Sequence, residues 1–298
     1  MQGAPVIEDL RTTIAFLLPW EFSPAMLTLC GGAVFLYIRG LVRAPCGVHE
    51  PLARRIAFIV GWGLIYFVTQ THYDYLSQHM FYIHRLQHLV LHHVGPFLIA
   101  LSQPLAALGR GLPRGVKERF LEALWSSRPM RIGYRIMQNA IVAPVLFVGL
   151  IFFWLTPSIH FDAMLSSRLY QVMNWSMLLD GLLFWALMLD PRSRAEGAIL
   201  GFGLRILILV ITIFPQMALG AHLAMSTTDL YSVYAVCGRA WNLSPHADQI
   251  YGGLSTWIPP GMMNLIGILI LIGRLMRSDQ NAADRERLTA KSTTACQS

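Results

Sequence analysis

Charge is scarce in this chain. Only 13% of its 298 residues are Asp, Glu, Lys or Arg, and 55% are hydrophobic, whereas a soluble globular domain carries about 25% charged residues. That shortage excludes an ordinary soluble domain and points to a membrane protein. Cysteine is scarce too. Cys30, Cys46, Cys237 and Cys296 stand far apart and make no CxxC pair, so neither a disulfide framework nor a zinc ribbon can be read from them. The opening residues MQGAPVIEDL lack a basic stretch before the apolar one, so no cleavable signal peptide is expected. No internal repeat or low-complexity segment stands out. The net charge of +7 does not imply nucleic-acid binding, because no folded soluble module is visible to carry it.

Long apolar runs are what the sequence does have. A spanning helix needs about 20 mostly apolar residues, and seven stretches qualify: 24–42, 55–73, 80–106, 137–156, 169–189, 198–222 and 258–276. Pro96 and Pro104 are expected to kink or end the third, and Pro215 to kink the sixth. The lysines and arginines alternate in number between loops. Arg39, Arg43, Arg54, Arg55, Arg110, Arg114, Lys117, Arg119, Arg128, Arg131, Arg135, Arg192, Arg194 and the tail fall on one side; Arg11, Arg168 and Arg239 fall on the other. The expectation is an all-α bundle of seven transmembrane helices, N-terminus outside and C-terminus cytoplasmic. Residues 1–276 form its single domain, and 277–298 a polar, disordered cytoplasmic tail. The basic excess is then a topology signal and a contact with anionic lipid.

The outer half of this bundle collects soft donors. His84 and His88, in HRLQHLVLHH, are one helical turn apart and project from one face; Met80 extends the stripe by another turn. His92 can line the same cavity, while His93 is expected to face a neighbouring helix. Met173 and Met177 are one turn apart in the fifth span, and Met217 and His222 lie near the outer end of the sixth. His160 and Met164 fall in an outer loop. Thioethers with imidazoles favour copper, above all Cu(I). Methionine in a membrane helix is more often plain packing, and a single intramembrane histidine often only joins helices. Two histidines at helical spacing beside two more are harder to explain that way. Asp180, mid-span, needs a partner: an imidazole that itself holds a metal, or a structural hydrogen bond. Arg85 is expected to reach the outer interface along its stem. Cys46 and His49 have no further ligand nearby and read as a plain loop.

Several motifs resemble the CtaG-type cytochrome c oxidase assembly factors. Trp20-Glu-Phe-Ser-Pro24 resembles that family's entry to the first span. His84, Gln87 and His88, followed by Pro96 and Pro104, are similar to its third-span signature. Gly181-Leu-Leu-Phe-Trp185 with Asp190-Pro191 resembles the end of its fifth span. The most distinctive match is DQIYGGLSTW, with Asp248, Gln249, Gly252, Gly253 and Trp257. The resemblance implies a non-enzymatic protein of the bacterial inner membrane that matures a haem–copper oxidase by delivering or positioning copper. Its implied partners are oxidase subunits and another copper chaperone. Arg85 stands where members often have methionine, and Asn174 and Ser176 stand where members often carry histidine. On its own chemistry, the Gly252-Gly253 pair permits a sharp turn or close approach, and Trp257 suits the membrane–water boundary.

Three other readings compete. A di-iron membrane oxidase needs several histidine boxes, and here there is one cluster. A haem-binding electron carrier needs ligands on opposite haem faces, so a partner such as His222 would have to join His84 or His88. A purely structural chaperone would use its histidines only to pack helices.

Overall fold

A computed structural model describes residues 16–18, 22–116, 119, 123 and 126–295. Trp20 and Glu21 of the entry motif, Arg11 and Lys117 lie outside the described residues. Among those described, every regular element is helical. The main helices are α1 (Pro24–Val42), α2 (Leu52–Gln70), α3 (His72–His79), α4 (Phe81–Ser102), α5 (Leu105–Gly111), α6 (Arg128–Met137), α7 (Val142–Leu155), α8 (Pro157–Leu165), α9 (Ser167–Met188), α10 (Phe202–Met225), α11 (Val233–Cys237) and α12 (Pro245–Ala295). Four helices are long and apolar enough to cross a membrane: α1, α2, α10 and α12 as far as Asn281. The number rises to six if two bent pairs, α4–α5 and α6–α7, each count as one span.

Local chemistry sets the boundaries. Ser23 accepts from the Met26 N–H and starts α1, with Pro24 at its first position. Pro96 does not break α4. Val90–Val94 form a π-helical turn, and the proline follows it as the second residue of the next α-helical segment. Gln103, left-handed at φ 53°, ends the helix just before Pro104. The C-terminal helix runs on through Arg277 to Ala295, where a disordered tail is expected from composition.

Packing between membrane helices draws on van der Waals fit and polar contacts, since lipid tails are as apolar as leucine. The α10–α12 pair makes the most extensive contact. Along α9, Met173 and Met177 join one apolar cluster with Phe81, Trp154 and Tyr234. Phe184, Trp185 and Met188 join another around Phe147. A third cluster, with Tyr37, Phe58, Trp62 and Ile65, binds α1 and α2 to α4. Buried polar side chains gather on α4, with Asn174 on α9. Arg205, fully buried in α10, donates through its two terminal nitrogens to the carbonyls of Asp190, Arg192 and Leu200, which offsets part of the cost of a charge within a span.

Candidate metal site

The first turn of α4 is built by a residue 166 positions away. Asp248 of α12 accepts the backbone N–H of Phe81 at 3.1 Å and of Tyr82 at 2.9 Å, two donors that the helix leaves unpaired. Arg239 pairs with the same buried carboxylate. Met80, just before the helix, is extended at φ −141° and ψ 125°. The expected continuous stripe Met80–His84–His88 is therefore interrupted. Met80 is buried, but it precedes the helix rather than forming part of it.

His84 and His88 do converge. Their Nε2 atoms lie 3.0 Å apart, and both rings are buried. His84 Nδ1 is 2.8 Å from the Tyr234 hydroxyl of α11. The same hydroxyl is 3.0 Å from Nε2 of His160, whose Nδ1 is 3.0 Å from the Trp154 carbonyl. His88 Nε2 is 3.2 Å from Asn174 Oδ1, and its Nδ1 receives a hydrogen bond from Arg85. Arg85 is thus a correction to the sequence reading. It is buried and turned onto His88, three residues on and so on nearly the same face, rather than reaching the interface.

The ends of this string set its tautomers. A guanidinium can only donate and a carbonyl can only accept. With neutral rings, His88 therefore keeps its proton on Nε2 and donates to His84 Nε2. His84 Nδ1–H donates to Tyr234, Tyr234 donates to His160 Nε2, and His160 Nδ1–H donates to Trp154. Tyr234 and His160 lie in connections outside the spans. Burial holds the Tyr234 phenol well above its usual range. Burial, reinforced by Arg85, pushes the His160 imidazole down to about 3. Both are neutral, as the string requires.

A second polar knot lies beside it. Gln87 Nε2 donates to Asp74 and to the Val68 carbonyl, both at 2.7 Å. Tyr170 donates to the same Asp74 oxygen at 2.7 Å. One turn deeper, His92 Nε2 lies 3.0 Å from Asp180 Oδ2. The π turn brings both His92 and His93 into the interior, so His93 joins the cavity. Arg85, His88, His92, His93, Met177 and Thr256 line a space of about 20 Å³, room for one water-sized body. His92 Nδ1 and both nitrogens of His93 have no hydrogen-bond partner among the described residues.

Met173 is buried in the apolar cluster that also holds Met177, Phe81, Tyr170 and Tyr234. The expected ligands on α10 are not gathered here. Met217 is 37% exposed and His222 is exposed. Each is one residue from the buried positions Gln216 and Leu223, about 100° away from the inward face of α10. Among the described residues, no group of three or more His, Cys, Asp or Glu side chains is placed to hold a metal. The di-iron and haem readings gain no support from this arrangement.

The Asp248–Trp257 segment is helical, not a turn. It forms the first turns of α12. Its glycines permit close approach instead. A Cβ on Gly252 would sit 2.3 Å from the Phe81 ring, and one on Gly253 would sit 2.5 Å from the Ala224 backbone. Trp257 packs on Gly220 of α10. Gln249 Oε1 accepts the Leu230 N–H at 2.9 Å, and its Nε2 donates to the carbonyls of Leu223 and Thr228. The motif therefore ties the 226–244 connection to the bundle. Tyr234 was not legible as a site member, and no local spacing joins it, His160 or Asn174 to His84; Arg85 adjoins His84 in sequence, but its turn onto His88 was not foreseen.

Comparison with known proteins fits this construction. An uncharacterized protein of Mycobacterium leprae is 26% identical over 300 residues, covering 95% of this chain and 43% of its own length. Another, from Mycobacterium bovis, is 28% identical over 253 residues, covering 80% of this chain and 36% of its own. The chain thus spans less than half the length of these curated relatives. No solved structure matches it. The family of the cytochrome c oxidase caa3 assembly factor (Caa3_CtaG) matches residues 35–278, most of the chain, and the protein belongs to that family.

Proposed function

We propose that this assembly factor binds Cu(I) near the outer face of the bacterial cell membrane and passes it to a nascent oxidase subunit by ligand exchange. One observation carries the reading: the Nε2 atoms of His84 and His88 meet at 3.0 Å in a buried pocket. Its neighbouring cavity is lined by Met177, His92 and His93. Two nitrogens bound to one ion at about 2.0 Å in tetrahedral geometry are separated by roughly 3.3 Å. His84 is prepared as a ligand, with Nε2 free of a proton and Nδ1–H held by Tyr234. His88 is not, because Arg85 forces its proton onto Nε2. Loading then requires Arg85 to withdraw and the His88 proton to move from Nε2 to the vacated Nδ1, which leaves a neutral imidazole with Nε2 open to the ion. Imidazole and thioether donors suit a cargo that must be released, and membership of an assembly-factor family implies a non-catalytic role.

The proposal includes a seven-span bundle in the inner membrane, N-terminus outside. The six possible spans are joined by α9, 22 residues long, whose Asn174 and Asp180 lower its apolarity. The arginine-rich loops then face the cytoplasm. Partners are oxidase subunits and a donor copper chaperone. The test is anaerobic purification, copper-to-protein ratio and X-ray absorption of the wild type against His84→Ala/His88→Ala. Copper should be lost in the double variant, and oxidase activity in the cell should fall with it. Undiminished copper in a folded double variant would end the assignment.

A further inference from the structure

Two adjoining cavities on α1 differ sharply in chemistry. One is an apolar furrow of about 930 Å³, walled by Ala25, Leu29 and Leu36 of α1, Trp62 of α2, Leu108 of α5 and Trp175 of α9. The other, about 910 Å³, is bordered by three guanidinium-bearing residues, Arg39, Arg43 and Arg110. Leu112 lines both, so the furrow runs into the basic recess. Arg110 is engaged, with Glu50 at 3.5 Å and the Gly40 carbonyl at 3.3 Å. Arg39 and Arg43 make no side-chain hydrogen bond or ion pair among the described residues.

Along α1, Ala25 to Leu36 covers about 17 Å at 1.5 Å per residue. That is close to the depth of one leaflet, half of a hydrocarbon core about 30 Å thick. The arginines begin where the apolar wall ends, in the last turn of α1 and just beyond it, the level at which a spanning helix meets lipid headgroups. Apolar length and uncompensated positive charge are matched by one kind of molecule. We infer that this groove is a binding site for an anionic phospholipid, its phosphate between Arg39, Arg43 and Arg110 and an acyl chain along α1. None of the residues that line the groove belongs to the histidine string, and the inference does not depend on the copper reading.

The experiment uses the full chain in mixed-lipid nanodiscs, with phosphatidylglycerol or phosphatidylcholine brominated on its acyl chains. Trp62 and Trp175 line the furrow, so their share of the fluorescence, found by difference from Trp62→Phe/Trp175→Phe, reports the occupant. Brominated phosphatidylglycerol should quench that share about tenfold more effectively than brominated phosphatidylcholine, given the attraction of each arginine for anionic lipid. In Arg39→Gln/Arg43→Gln the two lipids should quench alike. Equal quenching in the wild type overturns the proposal without recourse to any variant. Absence of quenching by either lipid overturns it in favour of a protein segment filling the groove.

Discussion

The guanidinium of Arg85 donates to Nδ1 of His88, three residues further along the same helix. A fixed positive charge therefore touches one of the two imidazoles that face each other at 3.0 Å. It holds His88 in the tautomer that cannot ligate through Nε2, and it repels an incoming cation.

Replacing Arg85 with methionine removes both obstacles and adds a thioether. Copper affinity should rise by about tenfold, equivalent to about 1.4 kcal/mol. Competition with a Cu(I) chelator measures it. Weaker copper binding in a folded Arg85→Met protein would show that the guanidinium supports the site instead of opposing it.

Tyr234 joins His84 to His160 through one hydroxyl. Tyr234→Phe keeps the ring and leaves two buried nitrogens without a partner. The expected loss is about 1–3 kcal/mol per unsatisfied group, read as a lower melting temperature in detergent. An unchanged melting temperature would mean that the string does not hold the connection in place.

Asp248 and Arg239 are coupled across the entrance to α4. Asp248→Ala should cost about 3–5 kcal/mol, because it strands a charge and unpairs two helix donors. Arg239→Met should cost less, since the carboxylate keeps the Phe81 and Tyr82 N–H groups. A double-mutant cycle should return a clear coupling energy; additive effects would refute the pairing.

Gly252→Ala drives a methyl group into the Phe81 ring, at 2.3 Å from its nearest carbons. Overpacking of this kind typically costs about 1–3 kcal/mol. Gly149→Ala is the control, because a Cβ there meets nothing within 4 Å. Thermal unfolding of the two variants side by side should separate them.

What could be read from sequence was what short spacing encodes. The HxxxH step places His84 and His88 together because i and i+4 share a helix face, and the apolar runs overlap the long helices. Long-range partners were not encoded that way. Tyr234 is 150 residues from His84, and Asp248 is 167 from Phe81. The π turn shifts His93 inward, against the phase of a regular helix. Met217 and His222 look suitable by depth along α10, yet each lies a single residue off its buried face. The paired glycines read equally as turn or contact. Only the Phe81 ring and the Ala224 backbone pressed against them decide for contact.

The row of groups from Arg85 to Trp154 has one permitted orientation. A proton conductor must reverse every dipole after each passage, and that needs terminal groups able both to give and to take. Here one terminus never accepts and the other never donates. While Arg85 holds His88, the row is consequently a lock on the tautomers rather than a wire.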